Sequence, residues 1–235
     1  MLYTNAQSIV NKMEELKVVT SMKRPDVIAV TESWTNTEIS DDFLHLEGYE
    51  LINRKDREDT DRGRGGGILI YVAKGRCAWK ESVMGCFEQC ASIKLRGKRC
   101  DLGINIIYRS PNSSSDNDAS LCSLIKEMRG TYVCIGDFNF PGIRWSTGRC
   151  DARGRAFYEE LEEQFLVQHV DEPTHTSGNV LDLVLSKDDQ LVRNVDYDGR
   201  LGKSDHEMLM VTVRMEVLEP VVPTNTPILM RCEEI

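Results

Sequence analysis

Apolar positions in this chain fall in short blocks whose period changes from block to block. Asp26-Val27-Ile28-Ala29-Val30 is a nearly continuous apolar run, the pattern of a strand buried on both faces, and Gly67 to Ala73 reads as a strong strand. Cys90 to Leu95 alternates apolar and polar side chains, as a half-buried strand does. Gly97 and its neighbours read as a hairpin turn into a second strand, Asp101 to Tyr108. Tyr3 to Ala6, Tyr132 to Ile135, Val180 to Leu185 and Met208 to Val213 are further expected strands. A helical period marks three segments. Ile9, Met13, Leu16 and Val19 share one face, with Ser8 as the expected N-cap and Pro25 as the stop. Leu121, Leu124, Ile125 and Met128 share another, and Phe157, Leu161 and Phe165 a third. Residues 53–67 are charged and glycine-rich, a surface loop.

The mixture runs without an internal linker or sequence repeat, so residues 1–217 are expected to form one domain. Pro220, Pro223 and Pro227 break regular structure in residues 218–235, which read as a tail or linker. Helices interspersed with many strands predict a layered α/β sandwich around one or two sheets.

Composition narrows the class. With 40% hydrophobic residues in 235, the chain has the make-up of a globular protein. It has no apolar run near the ~18 residues of a membrane span, and its start lacks the basic and apolar regions of a secretory leader, so no membrane partner is expected. Eight cysteines lack metal-ligand spacing and are expected to be reduced, structural thiols. The net charge of −9 argues against a protein that holds nucleic acid by bulk charge, without excluding one. Two local basic strips remain: Arg54-Lys55-Asp56-Arg57 with Arg62 and Arg64, and Lys94, Arg96, Lys98 and Arg99. Each is either solvated loop charge or a phosphate contact.

The candidate chemistry lies at strand exits. Asn5, Glu32, Tyr108, Asp137, Asn139, Asp182, Asp205 and His206 each stand just past an apolar run, and polar groups at strand exits can line one rim of a sheet. Asp137 and Asn139, two apart, emerge on the same side of their strand. Such a pair can orient and deprotonate a water, and Asp205-His206 offers a second acid/base partner. His45, His169 and His175 lack acidic partners at telling spacings and read as structural, and Trp34 and Trp145 read as packing residues.

Six segments in order extend this picture: Thr4-Asn5-Ala6-Gln7-Ser8, Thr31-Glu32-Ser33-Trp34, Tyr108-Arg109-Ser110-Pro111, Gly136-Asp137-Phe138-Asn139, Asn179 to Ser186, and Ser204-Asp205-His206. Together they resemble the endonuclease/exonuclease/phosphatase superfamily, whose fold is that of deoxyribonuclease I. Within it, Asn-Ala-Gln-Ser and Leu-Asp-Leu-Val-Leu-Ser are similar to endonuclease domains of non-LTR retrotransposons. The resemblance implies a four-layered α/β sandwich with two packed mixed β-sheets flanked by helices. It also implies a Mg²⁺-dependent endonuclease, Mn²⁺ being an alternative ion, that nicks DNA to leave a 3′-hydroxyl and a 5′-phosphate.

On that resemblance Glu32, Asn5 and Asp205 are the candidate metal residues, and Asp137 and Asn139 handle the attacking water. His206 stabilises charge on a phosphate oxygen, Asp182 orients His206, and Tyr108 contacts the phosphate or the leaving oxygen. Arg109, Asn179 and Thr176 are candidate substrate contacts; for Thr174, Thr176 and Ser177 a turn role stands beside an approach to DNA. Gln7 stands where some repair members carry an acid, although the retrotransposon branch is also expected to be neutral there. The implied partners are the DNA backbone and a reverse transcriptase that is not among these residues, and the implied location is the nucleus. A phosphatase or phosphodiesterase of the same superfamily, acting on a lipid or small phosphorylated molecule, is the first alternative. A catalytically silent binding module is the second.

Overall fold

The computed structural model describes residues 1–57, 65–82, 85–87 and 89–215. The expected tail at 218–235 and the basic residues Arg62 and Arg64 lie outside these. In chain order the elements are β1 (Leu2–Asn5), α1 (Met13–Lys23), β2 (Val27–Thr31), β3 (Tyr49–Lys55), β4 (Ile68–Ala73), β5 (Ala78–Glu81), β6 (Cys90–Leu95) and β7 (Leu102–Tyr108). They continue with α2 (Ser115–Glu127), β8 (Tyr132–Asp137), β9 (Ile143–Arg144), β10 (Arg149–Cys150), α3 (Ala152–Glu163), β11 (Val167–Gln168), β12 (Asp182–Ser186), β13 (Val192–Arg200) and β14 (Glu207–Val213).

Two six-stranded sheets carry the fold, ordered β13-β14-β1-β2-β4-β3 and β11-β12-β8-β7-β6-β5. Each has one parallel pair near its centre, β1 with β2 and β7 with β8, and its other neighbours are antiparallel. Both parallel pairs are joined through a helix, α1 or α2, as a parallel connection requires. Strand alternation then sorts the side chains. Tyr3, Ala29 and Ile70 of the first sheet meet Ile93, Ile106, Ile135 and Val184 of the second in one central core. Leu2, Ile28 and Val30 point the other way, against Met13 and Leu16 of α1. Cys134, Ile107 and Leu183 likewise point outward, against α2 and α3. The result is four layers, α1, sheet, sheet, α2 with α3, as the resemblance implies.

Some expectations change. α1 starts at Met13, not after Ser8; its N-cap is Lys12, with no side-chain cap, and Ser8 sits at φ 77° in the turn before it. The helix ends at Arg24 in a left-handed conformation, because Pro25 disfavours helical geometry in the residue before it. Phe165 lies beyond α3 and is 83% exposed, so that helix buries Phe157 and Leu161 without it. Strands β3 and β13 escape the periodicity because register shifts interrupt them, between Leu51 and Asn53 and at two places in β13, and a bulge breaks the alternation of faces. The seven described cysteines are free thiols, and Cys134 is buried in β8. Among the described residues no helix is long and apolar enough to cross a membrane.

Candidate active site

Register brings the strand ends to one rim. Asn5 pairs with Thr31 at the end of β1 and β2, Tyr108 pairs with Asp137 at the end of β7 and β8, and Asp182 opens β12 opposite Asp137. His206 immediately precedes β14, the antiparallel neighbour of β1. The two sheets meet at this end through hydrogen bonds between their polar side chains.

Asp137 is buried at the centre. Asn5 donates its Nδ2 to Asp137 Oδ2 at 3.0 Å and lies 3.4 Å from His206 Nε2. His206 Nε2 is itself 3.9 Å from Asp137 Oδ2. On its far side His206 Nδ1 is 2.7 Å from Asp182 Oδ2, and the Tyr3 hydroxyl donates to Asp182 Oδ1 at 2.8 Å. Asp182 is thus filled on both oxygens and clamps the imidazole. Tyr3 was not foreseen as a site residue. Its signal was the period of two: Tyr3 and Asn5 share one face of β1 and reach across to the second sheet.

The remaining candidates divide. Tyr108 donates its hydroxyl to Glu32 Oε1, and the Trp34 indole donates to Glu32 Oε2 at 2.8 Å. Trp34 therefore does more than pack, since it orients the acid. Asn139 is half-buried beyond Asp137, its backbone held at φ 51°. Asp205 is exposed: Gln7 Nε2 reaches its Oδ2 at 3.5 Å, and its own N–H donates to Gln7 Oε1 at 3.1 Å. Asn179 donates to Ser177 Oγ at 2.9 Å, and Thr176 is exposed in the same loop. Arg109 corrects the expectation of a substrate contact. Its side chain has no solvent exposure; it forks onto Asp118 at 2.6 and 2.8 Å and donates to the Asn139 carbonyl at 2.7 Å. Its charge is used inside the fold to hold the turn that presents Asn139.

His175, read from the sequence as structural, meets His206 edge to face, with ring centroids 4.8 Å apart, and bridges to it through the backbone. No sequence spacing signalled this, because the two residues come from separate segments that only the sheet brings together.

The backbone at the rim is strained. Gln7, Ser8, Glu32, Trp34 and Asn139 all have positive φ, a conformation that costs non-glycine residues roughly 1–3 kcal/mol and clusters at functional sites. Gly67, at φ +90°, lets the Glu32 turn approach: a Cβ there would stand 2.4 Å from Ser33 Oγ.

Electrostatics assign the protons. Burial alone would lower the His206 pKa, but Asp182 above all, then Asp137 and Glu32, outweigh it and raise it to about 9. Burial lowers the pKa of His175, and the neighbouring His206 charge lowers it further. Burial pushes the Asp137 pKa well up, and Asp182 adds to this against the opposing pull of His206. Burial and Glu32 keep Tyr108 protonated far above its ordinary range.

The His206 shift has a measurable consequence for stability. A pKa raised from about 6.5 in the unfolded chain to about 9 in the fold gives stabilisation fully present below about pH 6.5 and lost as pH rises through about 9, on the order of 3 kcal/mol. Urea denaturation at pH 6.5 and 9.5 should therefore show a larger loss for the wild type than for His206→Gln. Equal losses would mean that the buried imidazole is not held as a cation.

Asp137 Oδ1 is buried and has no hydrogen-bond partner. An orphaned carboxylate oxygen in an acidic, buried setting is stabilised by a cation. Asp137, Asp182 and His206 offer ligand atoms within 4.8 Å of one another, but both Asp182 oxygens and His206 Nδ1 are engaged with protein partners. Asp137, with Glu32 nearby enough to act on its charge, is the better fit for a hard divalent ion. Neither Glu32 nor Asp205 is among the three residues whose ligand atoms come that close.

The paired sheets with this rim define a deoxyribonuclease I-like α/β sandwich. Residues 103–210 match the family described as "Endonuclease-reverse transcriptase". The chain is similar in structure to the endonuclease domain of TRAS1, a telomere-specific non-LTR retrotransposon. That match has a TM-score of 0.70 and 17% identity, over 92% of this chain and 97% of that one. The AP endonuclease LMAP from Leishmania major gives a TM-score of 0.69 at 14% identity, covering 91% and 87% of the two chains. The 3′-5′ exonuclease NExo from Neisseria meningitidis gives 0.68 at 14% identity, covering 90% and 98%. No curated protein matches the chain in sequence.

Proposed function

We propose that this protein is a divalent-metal-dependent endonuclease that nicks DNA, derived from a retroelement and working with a reverse transcriptase in the nucleus. The observation that carries this reading is the orphaned Asp137 oxygen within a network contributed by both sheets. Asp137 and Glu32 would hold the ion, Mg²⁺ or Mn²⁺, through oxygen ligands. When bound, the ion neutralises phosphate charge and assists departure of the leaving oxyanion.

The chain's own residues supply the rest. Asp137, fixed by the Asn5 amide, orients the attacking water and accepts its proton. Asn139 stands beside it to fix a phosphate oxygen. His206, held as a cation by Asp182, presents Nε2 to a non-bridging oxygen where charge accumulates. Tyr108 keeps its proton and orients Glu32, at hydrogen-bond reach of a phosphate that enters the rim. Cleavage that leaves a 3′-hydroxyl would supply the primer a reverse transcriptase needs.

The test is incubation with supercoiled plasmid and Mg²⁺, with and without EDTA, for the wild type, Asp137→Ala and His206→Ala. The reading expects metal-dependent relaxation, lost in both variants and falling steeply with added salt as phosphate contacts are screened. The net charge of −9 and the structural likeness to the 3′ phosphatase NExo from Neisseria favour phosphatase activity as the second reading. Phosphate release from inositol phosphates without nicking would establish that one, and DNA binding without turnover would establish a silent binding module.

A further inference from the structure

The His175 ring is locked in one orientation and one tautomer. The backbone N–H of Ser177 donates to His175 Nδ1 at 3.0 Å, and an amide N–H can only donate. The Ser177 hydroxyl lies 2.7 Å from the same nitrogen, and Asn179 Nδ2 donates to that hydroxyl oxygen at 2.9 Å, which leaves the hydroxyl hydrogen free to point at the ring. With two donors directed at Nδ1, the proton of the neutral imidazole must sit on Nε2.

The loop that carries His175 is tied to the segment that carries His206. Thr176 N–H donates to the Asp205 carbonyl at 3.0 Å, and Glu207 N–H donates to the Thr174 carbonyl at 2.8 Å. Within the loop, Thr174 and His175 N–H both donate to the Asn179 carbonyl, and Gly178 N–H donates to that of His175. The half-buried His175 is thereby pinned at the rim against His206. Its Nε2–H has no hydrogen-bond partner among the described residues, whereas every donor and acceptor on its other nitrogen is accounted for.

A fixed, unspent N–H beside a phosphate-binding imidazole is a second donor for an anionic strand. We propose that His175 Nε2–H binds a backbone phosphate oxygen of the DNA, next to the phosphate that His206 meets, with Ser177 and Asn179 as its positioning residues. This assignment rests on the nuclease reading and deepens it: His175 serves strand binding, and His206 serves the chemical step. Asn179 then acts through His175 instead of touching substrate.

The discriminating variant is His175→Phe, which keeps an aromatic edge against His206 and removes the donor; His175→Gln restores a donor amide. Plasmid nicking with Mg²⁺ gives KM and kcat, and fluorescence anisotropy of a labelled duplex in EDTA gives binding without turnover. Loss of one hydrogen bond to a charged oxygen corresponds to roughly a tenfold effect. His175→Phe should raise KM and the duplex Kd about that much, with kcat within about twofold, and His175→Gln should recover most of both. Unchanged KM and Kd in His175→Phe, a loss confined to kcat, or a defect that Gln does not repair assigns His175 to packing of His206 and overturns the proposal while nicking by the wild type stands. A wild type that binds duplex but nicks no DNA removes the nuclease reading and, with it, the assignment.

Discussion

Asp182→Asn should lower kcat for plasmid nicking by about 10²–10³-fold, the range for loss of one preorganised group that stabilises developing charge, and should leave KM nearly unchanged. The substitution is isosteric. Asn Oδ1 can still accept the Tyr3 hydroxyl, which donates to Asp182 Oδ1 in the wild type. That fixes the amide so that its Nδ2 faces His206 Nδ1, the place now taken by Asp182 Oδ2 at 2.7 Å. An NH₂ facing Nδ1 favours the tautomer with its proton on Nε2 and opposes the imidazolium, whose Nδ1–H would meet another donor. With the principal raising influence gone, burial, which already pulls the His206 pKa down, dominates. The alkaline limb of the pH–rate profile should move from near 9 to lower pH, and acidification should recover part of the lost rate. A further check is non-additivity: Asp182→Asn in a His206→Ala background should cost little more, because residues that act as a unit do not contribute twice. A profile that keeps its alkaline limb would show that Asp182 does not set the charge on His206.

How much of this site was legible beforehand follows from its construction. Asp137, Asp182 and His206 stand at the ends of apolar runs, and an apolar run is a signal carried by a handful of consecutive residues. Register aligns Asn5 with Thr31 in one sheet and Asp137 with Asp182 in the other, and the packing of the two sheets brings these ends to one rim. The partners within that rim were not legible, because they depend on which faces of two different sheets confront each other. Tyr3 looked like a strand residue, yet it donates to an acid from the other sheet. Arg109, beside Tyr108, looked like a cation offered to phosphate, yet its side chain lies inside the fold. Chain position gives the end of a strand but not the inward or outward sense of the side chain that follows it. His175 was lost for a related reason: its meaning comes from the Thr176–Asp205 and Thr174–Glu207 backbone bonds, and no local pattern encodes those.

Arg109 is where the largest effect on stability is expected. Its guanidinium forks onto Asp118 at 2.6 and 2.8 Å, donates to the Asn139 carbonyl at 2.7 Å and stacks 3.9 Å above the Phe140 ring. Burial pushes the Asp118 carboxyl up, but Arg109, with Ser113 and Arg153, outweighs this and holds it below the usual range. Arg109→Ala removes the bidentate partner and leaves a mostly buried carboxylate with Ser113 and the half-exposed Arg153, 3.5 Å away. It also leaves the Asn139 carbonyl without this donor. Breaking a buried pair from one side costs about 3–5 kcal/mol, and the contact that Arg153 keeps places the expected loss near 3. Arg109→Lys should recover little, because an ammonium cannot reproduce the fork or the stacking over Phe140. The double variant Arg109→Met, Asp118→Leu should regain much of the loss, since it removes the stranded charge together with its partner. Activity separates this from a purely global effect. Asn139 is held at φ 51°, and the bond from Arg109 to its carbonyl is one of the contacts that keep it there. Nicking measured well below the unfolding midpoint should therefore fall in Arg109→Ala and stay low in the double variant, even as urea denaturation shows its stability returning. Full activity in the restabilised double variant would mean that the Asn139 turn holds its shape without the arginine.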